Sequence, residues 1–152
     1  MAATAWKLYN SARKHIGNGT ITLGAGVFKM VLASASSNAS TFTLSVYGSL
    51  TNEIAATGGY TTGGKSLVPA TAQWTTGASA GQIKFTQTTT GLTFTASGAN
   101  LTDIKYAIIR NSTGAAAGKL LCFCQLSNAN FTVTTPNTLT VIPAATGIFT
   151  LT

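Results

Sequence analysis

The sequence predicts an all-β fold, an antiparallel β-sandwich of jelly-roll or immunoglobulin-like strand order, preceded by a short N-terminal α-helix. Three observations carry that prediction. From Gly19 onward the apolar period is two and does not return to 3.6. Val, Ile, Phe, Tyr and Thr fill the alternating segments, residues that suit a pleated, half-buried surface. Short Gly-rich or Asn/Pro punctuation separates them, as at Gly24-Ala25-Gly26, Gly58-Gly59, Gly63-Gly64, Ser97-Gly98, Thr113-Gly114 and Pro136-Asn137.

The first segment has helical spacing. Thr4 is a suitable N-cap, and Ala5, Leu8, Tyr9, Ala12 and Ile16 share one face of a 3.6-residue period. Gly17 stands where a C′ glycine stops a helix, and Arg13, Lys14 and His15 crowd the last turn, where positive charge complements the dipole. Trp6 lies beside the apolar stripe. Residues 1–17 are therefore read as a helix or arm, and 18–152 as a single β-sandwich domain.

Strands are expected over residues 20–23, 27–34, 82–88, 92–96, 104–111, 119–127, 130–135, 138–142 and 148–152. Residues 45–52 fit a short helical turn bearing Leu50. Ile104, Tyr106 and Ile108 are placed on one strand face, and Lys105, Ala107 and Ile109 on the other. In 119–127 the inward set is Leu120, Cys122, Cys124 and Leu126, with Leu121, Phe123 and Gln125 outward. Both faces are apolar, so this strand is central, or is covered by the N-terminal helix or another subunit. No repeat of solenoid or propeller length is visible.

Composition narrows the function. The chain has 152 residues, nine Lys+Arg against two Asp+Glu, a net charge of +7 and only 7% charged residues. Its mean hydropathy is +0.30, which argues against disorder, since there is ample apolar material to offset chain entropy. Two carboxylates and one histidine supply little for acid–base catalysis, a metal centre or a cofactor, so no enzyme activity and no cofactor are expected. No apolar run reaches the length that spans a bilayer. The N-terminus, interrupted by Lys7, Asn10 and Ser11, lacks the apolar core of a secretory signal, which points to a cytosolic origin. The sequons at Asn18, Asn38, Asn100, Asn111 and Asn130 are then a consequence of a Thr/Asn-rich composition.

Three constellations compete with plain structural roles. Cys122 and Cys124 form a C-x-C on one strand face, which reads as two reduced, buried thiols rather than half a metal site. Gly59 to Gly64-Lys65-Ser66 satisfies the spacing of a phosphate-binding loop. Such a loop must follow a buried strand and open a helix, yet a short polar stretch precedes it and Leu67-Val68-Pro69 reads as extended. His15 and Asp103 make no catalytic set. The net positive charge fits an acidic protein partner better than nucleic acid, because stacking platforms and a recognition helix are missing from the pattern.

The segments Lys7-Leu8-Tyr9-Asn10, Lys14-His15-Ile16-Gly17-Asn18-Gly19-Thr20-Ile21, Val27-Phe28-Lys29-Met30-Val31-Leu32, Leu50-Thr51-Asn52-Glu53-Ile54, Gly59-Tyr60-Thr61-Thr62-Gly63-Gly64 and Ile104-Lys105-Tyr106-Ala107-Ile108-Ile109 together form a pattern. In this order, over nearly the whole chain, they resemble a family of small tailed-bacteriophage virion structural proteins. Members of that family are acid-rich at positions that are here Asn18, Thr22 and Gly24–Gly26. The resemblance implies a virion structural role, and the small size, the β core, the sparse catalytic inventory and the charge-poor Thr/Ala/Gly surface point within it to a capsid decoration, or cement, protein on the outer surface of the assembled head, made in the bacterial cytoplasm. Its partners would be the major capsid protein and copies of itself in a trimer, with no membrane, nucleic acid or small-molecule ligand. The partner-binding set is Trp6, Leu8 and Tyr9 as contacts, with Lys7, Arg13 and Lys14 steering onto an acidic surface. Two alternatives stand beside it: a tail, neck or fibre-base adaptor, and a carbohydrate- or host-surface-binding module using Trp74 and Tyr60 as a platform.

Overall fold

The computed structural model describes residues 3–67, 73–77, 79–87, 90–113 and 117–151. The expectations for Val68, Pro69, Thr88, Gly114 and Thr152 lie outside them. The chain is all-β and sandwich-like, with antiparallel sheets and one short helix. In order it forms β1 (Lys7–Leu8), α1 (Asn10–Gly17), β2 (Phe28–Ala33), a 3₁₀ turn (Tyr47–Ser49), β3 (Lys65–Ser66), β4 (Trp74–Thr76), β5 (Ile83–Phe85) and β6 (Leu92–Thr95). There follow β7 (Leu101–Ile104), β8 (Tyr106–Asn111), β9 (Leu120–Gln125), β10 (Phe131–Val133), β11 (Thr138–Val141) and β12 (Phe149–Leu151).

The main sheet has the order β1-β9-β8-β2-β3. Its two faces follow from the ladder, because directly paired residues point the same way and neighbours along a strand point opposite ways. Met30, Ile109, Cys122 and Leu8 form one row; Val31, Ile108, Phe123 and Lys7 form the next. The first face looks toward the smaller sheets: Phe28 meets Phe85 of β5 edge-on, with ring centroids 5.1 Å apart. The smaller sheets are β12-β5-β4, β11-β6 and β10-β7. The second face is covered by the N-terminal region, where the rings of Tyr9 and Phe42 pack on Phe123 at 5.1 and 5.5 Å. Hence β9 is apolar on both faces for both of the reasons the sequence allowed. It lies between β1 and β8, and α1 packs over it.

The helix is shorter than the periodicity implied. Residues before Tyr9 run extended, with the Thr4 N–H donating to Gln125 O at 2.8 Å and Lys7–Leu8 paired to Phe123 and Cys122. The free edge of β9 offers backbone partners that a first helical turn would leave unused. Thr4 is accordingly no cap; extended Tyr9 occupies that position. Gly17 is the last helical residue, and the left-handed conformation after it belongs to Gly19, at φ +73°.

Two further corrections concern strands. Residues 20–23 form turns, although Ile21 and Leu23 still bury their side chains. The expected strand 104–111 is two strands broken at Lys105, so Ile104 pairs with Phe131 in another sheet and does not share a ladder with Tyr106 and Ile108. Lys105 itself donates its N–H to Ala33 O and accepts from Leu126 N–H, which knits the break into the main sheet. The helical turn expected in 45–52 is present at Tyr47–Ser49. One contiguous buried cluster contains Tyr9 and Ala12 together with the sheet residues, so the N-terminal segment is part of the domain's core.

Candidate docking surface

The helix presents two faces. Ala12 is buried and Ile16 half-buried against the core, whereas Asn10, Arg13, Lys14 and Gly17 are exposed at i, i+3, i+4 and i+7. That outward face is cationic at its centre. It is also fixed in place by the segment after β2, because three consecutive residues at the helix start hold it. Tyr9 Oη donates to Ala39 O at 2.6 Å, the Asn10 N–H to Phe42 O at 3.0 Å, and Ser11 Oγ to Leu44 O at 3.4 Å.

The six residues singled out in the sequence do not form one surface. Tyr9 is 0% exposed, its ring on Phe123 and its hydroxyl on Ala39, so it is a core residue and not a contact. Burial, with the nearby Cys122, pushes its phenol well above the ordinary tyrosine range. Leu8 is half-buried on the face that Cys122 shares, and half-buried Trp6 lines a groove with Cys124, Leu126, Val141 and Phe149. Lys7 points to the opposite face, the side covered by α1. The side chains of Lys7, Arg13 and Lys14 are exposed and have no hydrogen-bond or ion-pair partner among the described residues. Four other cations are engaged: Lys65 Nζ donates to Thr93 O, Lys84 Nζ to Ala145 O, Arg110 to Gly63 O, and Lys105 sits over the Tyr106 ring, whereas half-buried Lys29 and Lys119 have no side-chain partner among the described residues.

His15 sits half-buried at the helix end, with Nδ1 buried and unpaired. Burial lowers its pKa below the usual 6.5, and the ammonium groups of Lys119 and Lys14 push it the same way.

The two carboxylates line one cleft together. Glu53 is the centre of a polar hub that the sequence did not reveal. It accepts from Tyr47 Oη, from Tyr60 Oη at 2.6 Å and from the Gly63 N–H at 2.7 Å. Tyr60 Oη in turn accepts from the Leu32 N–H of β2 at 3.1 Å. The Arg110 guanidinium grips Gly63 O through Nε and one terminal nitrogen, and stacks 4.4 Å from the Tyr47 ring centre. Burial and the bond to Glu53 push the Tyr47 hydroxyl up to about 12, and the same causes raise Tyr60 further. The hub ties the 3₁₀ turn, the glycine turn and β8 to one another. The signal for it was that Glu53, Tyr60 and Gly63 fall in the motifs Leu50–Ile54 and Gly59–Gly64, whereas Tyr47 and Arg110 lie outside them. Asp103, at φ +59°, lines the same cleft as Glu53, with Asn52 and Asn130.

No family model, curated protein or solved structure matches this chain.

The remaining constellations resolve locally. Cys122 and Cys124 are free, buried thiols; burial raises both, Cys124 to about 12. Among the described residues no group of three His, Cys, Asp or Glu side chains is placed to hold a metal ion. The loop ending in Gly64-Lys65-Ser66 runs into edge strand β3, paired to β2, so Lys65 and Ser66 do not open a helix as a phosphate loop requires. No helix among the described residues is long and apolar enough to cross a membrane. The aromatic platform of the carbohydrate alternative is also altered. Tyr60 is 5% exposed and committed to Glu53, while Trp74 is half-buried near Phe149.

Proposed function

We propose that this chain is a structural protein of a tailed-phage virion, a decoration protein that docks on the outer surface of the assembled head and stabilises it. One observation carries the reading: a rigidly held helix presents Arg13 and Lys14, with Lys7 beside it, as free cations, while Glu53 is bound up elsewhere in the fold. An interface built on such a face attracts an acidic protein surface, and steering by exposed charge acts mainly on the association rate. The rest of the surface is made largely of Thr, Ser, Asn, Gly and Ala, which lowers the desolvation cost of being buried between subunits. The resemblance in sequence to small virion proteins supports the same assignment. A protein that binds the assembled shell and not its loose subunits stabilises the shell by mass action.

The test is the triple substitution Lys7→Glu, Arg13→Glu and Lys14→Glu, added to heads that lack the protein. All three side chains are exposed, so the variant keeps the wild-type fold. It is expected to leave the heads bare at concentrations where the wild type coats them. Undiminished coating removes the helix as the anchor. Binding at a tail or neck site instead favours the adaptor reading.

A further inference from the structure

The aromatic contact that the sequence assigned to Tyr9 is vacant at the surface, because Tyr9 is inside. Phe42 stands in the corresponding outer position. Its ring meets the same Phe123 at 5.5 Å in an edge-to-face arrangement, yet it remains 43% exposed. Its carbonyl accepts the Asn10 N–H, so it abuts the start of the exposed helix face, and Lys7 lies opposite Phe123 in the ladder. The exposed ring therefore shares Phe123 with Lys7, and its backbone adjoins Asn10, one turn before exposed Arg13 on the helix face.

We propose that Phe42 is the apolar anchor of this face, and that the face takes an acidic protein surface in which a small hydrophobic recess is ringed by carboxylates. Anchors of this kind dominate an interface when they are central, aromatic and surrounded by contacts that exclude water. Phe42 is pre-positioned: the hydrogen bonds from Tyr9, Asn10 and Ser11 to Ala39, Phe42 and Leu44 hold its segment before any partner arrives, which reduces the ordering cost of binding. Charge complementarity selects the partner. Among the described residues the side chains of Lys7, Arg13 and Lys14 have no ion-pair partner, while Glu53 is committed to the tyrosine hub and lines one cleft with Asp103. A polyanion without apolar groups would use the lysines and leave the ring idle. The inference deepens the head-docking reading and rests on it for the partner being a protein.

The experiment is an amide NMR titration of the full chain with a short synthetic peptide of alternating Glu and Leu, beside a DNA duplex of equal charge. The peptide is expected to shift Phe42, Asn10 and Arg13, and Phe42→Ala is expected to weaken it about tenfold, with Phe42→Leu restoring most of the affinity. Equal affinity of Phe42→Ala, tighter binding of the duplex at this face, or shifts confined to other surfaces would each overturn the proposal. The wild-type shift map decides even if Phe42→Ala folds poorly. Peptide binding without any binding to heads sinks the head reading and spares this one; coating of heads by Phe42→Ala as strong as by the wild type does the reverse.

Discussion

Replacing Glu53 by Ala is the most informative single perturbation of the fold. The carboxylate accepts from Tyr47, Tyr60 and Gly63, and two of those donors belong to buried residues: Tyr60 is 5% exposed and Gly63 is buried. Tyr47 is half-buried and can re-pair with solvent. A buried donor left without an acceptor costs about 1–3 kcal/mol, and charge-assisted bonds lie toward the upper part of that range. Two such donors give a loss of about 4 kcal/mol. For a domain of this size, about 2–4 °C of Tm accompanies each kcal/mol, so the melting point should fall by roughly 8–16 °C. Glu53→Gln keeps the shape and one acceptor oxygen, and should cost about 1–2 kcal/mol. Urea unfolding followed by tryptophan fluorescence and by far-UV circular dichroism measures both, with coincident transitions securing the two-state treatment. A Glu53→Ala loss below about 0.5 kcal/mol, within the scatter of ordinary surface changes, would refute the claim that this hub holds the 3₁₀ turn and the glycine turn to the sheet.

Three further outcomes follow from the same structure. The Tyr9, Tyr47 and Tyr60 phenols and the Cys122 and Cys124 thiols all have folded pKa values above their unfolded ones. Stability is therefore whole below the unfolded values and is lost as pH rises toward the folded ones, by about 1.4 kcal/mol per pH unit for each buried group and by less for the more exposed Tyr47. A pH series of urea melts should be flat between about pH 7 and pH 8 and fall above about pH 8.5, and phenolate absorbance should appear together with unfolding. Gly64 has φ +82°, and a Cβ there would sit 2.1 Å from Met30 O, so Gly64→Ala should cost about 3 kcal/mol or more in the same melts. His15 has a folded pKa below its unfolded one, so its contribution is present above pH 6.5 and is lost as pH falls through the folded value. His15→Gln should accordingly flatten the decline in stability below pH 6.5, read against wild type in parallel melts.

What was legible in the chain was whatever repeats locally. The alternation in β2, β8 and β9 and the apolar character of both faces of β9 located the core sheet and foretold its cover. Residues 5–9 were ambiguous, because Leu8 and Tyr9 fit a helical stripe while Trp6, Lys7 and Leu8 alternate as a strand does. The vacant edge of β9 decided between them, and an edge is a property of the assembled sheet. Strands such as Lys65–Ser66 and Trp74–Thr76 are too short to show a period, and β7 contains polar Thr102 and Asp103. The docking face was half legible. Arg13 and Lys14 could be placed from the helix, but whether Tyr9 or Phe42 carries the exposed ring depends on how the segment after β2 folds back onto α1. The Glu53 hub gathers Tyr47, Tyr60 and Gly63 from one local stretch, but its ties to Leu32 of β2 and Arg110 of β8 depend on how that stretch packs on the sheet, which spacing does not show.

The central claim is that the chain coats a phage head. Counting its copies per purified virion by quantitative mass spectrometry, against the major capsid protein, tests that most directly. The account predicts a copy number comparable to that of the capsid protein. A small number matching tail symmetry, or none at all, would contradict it.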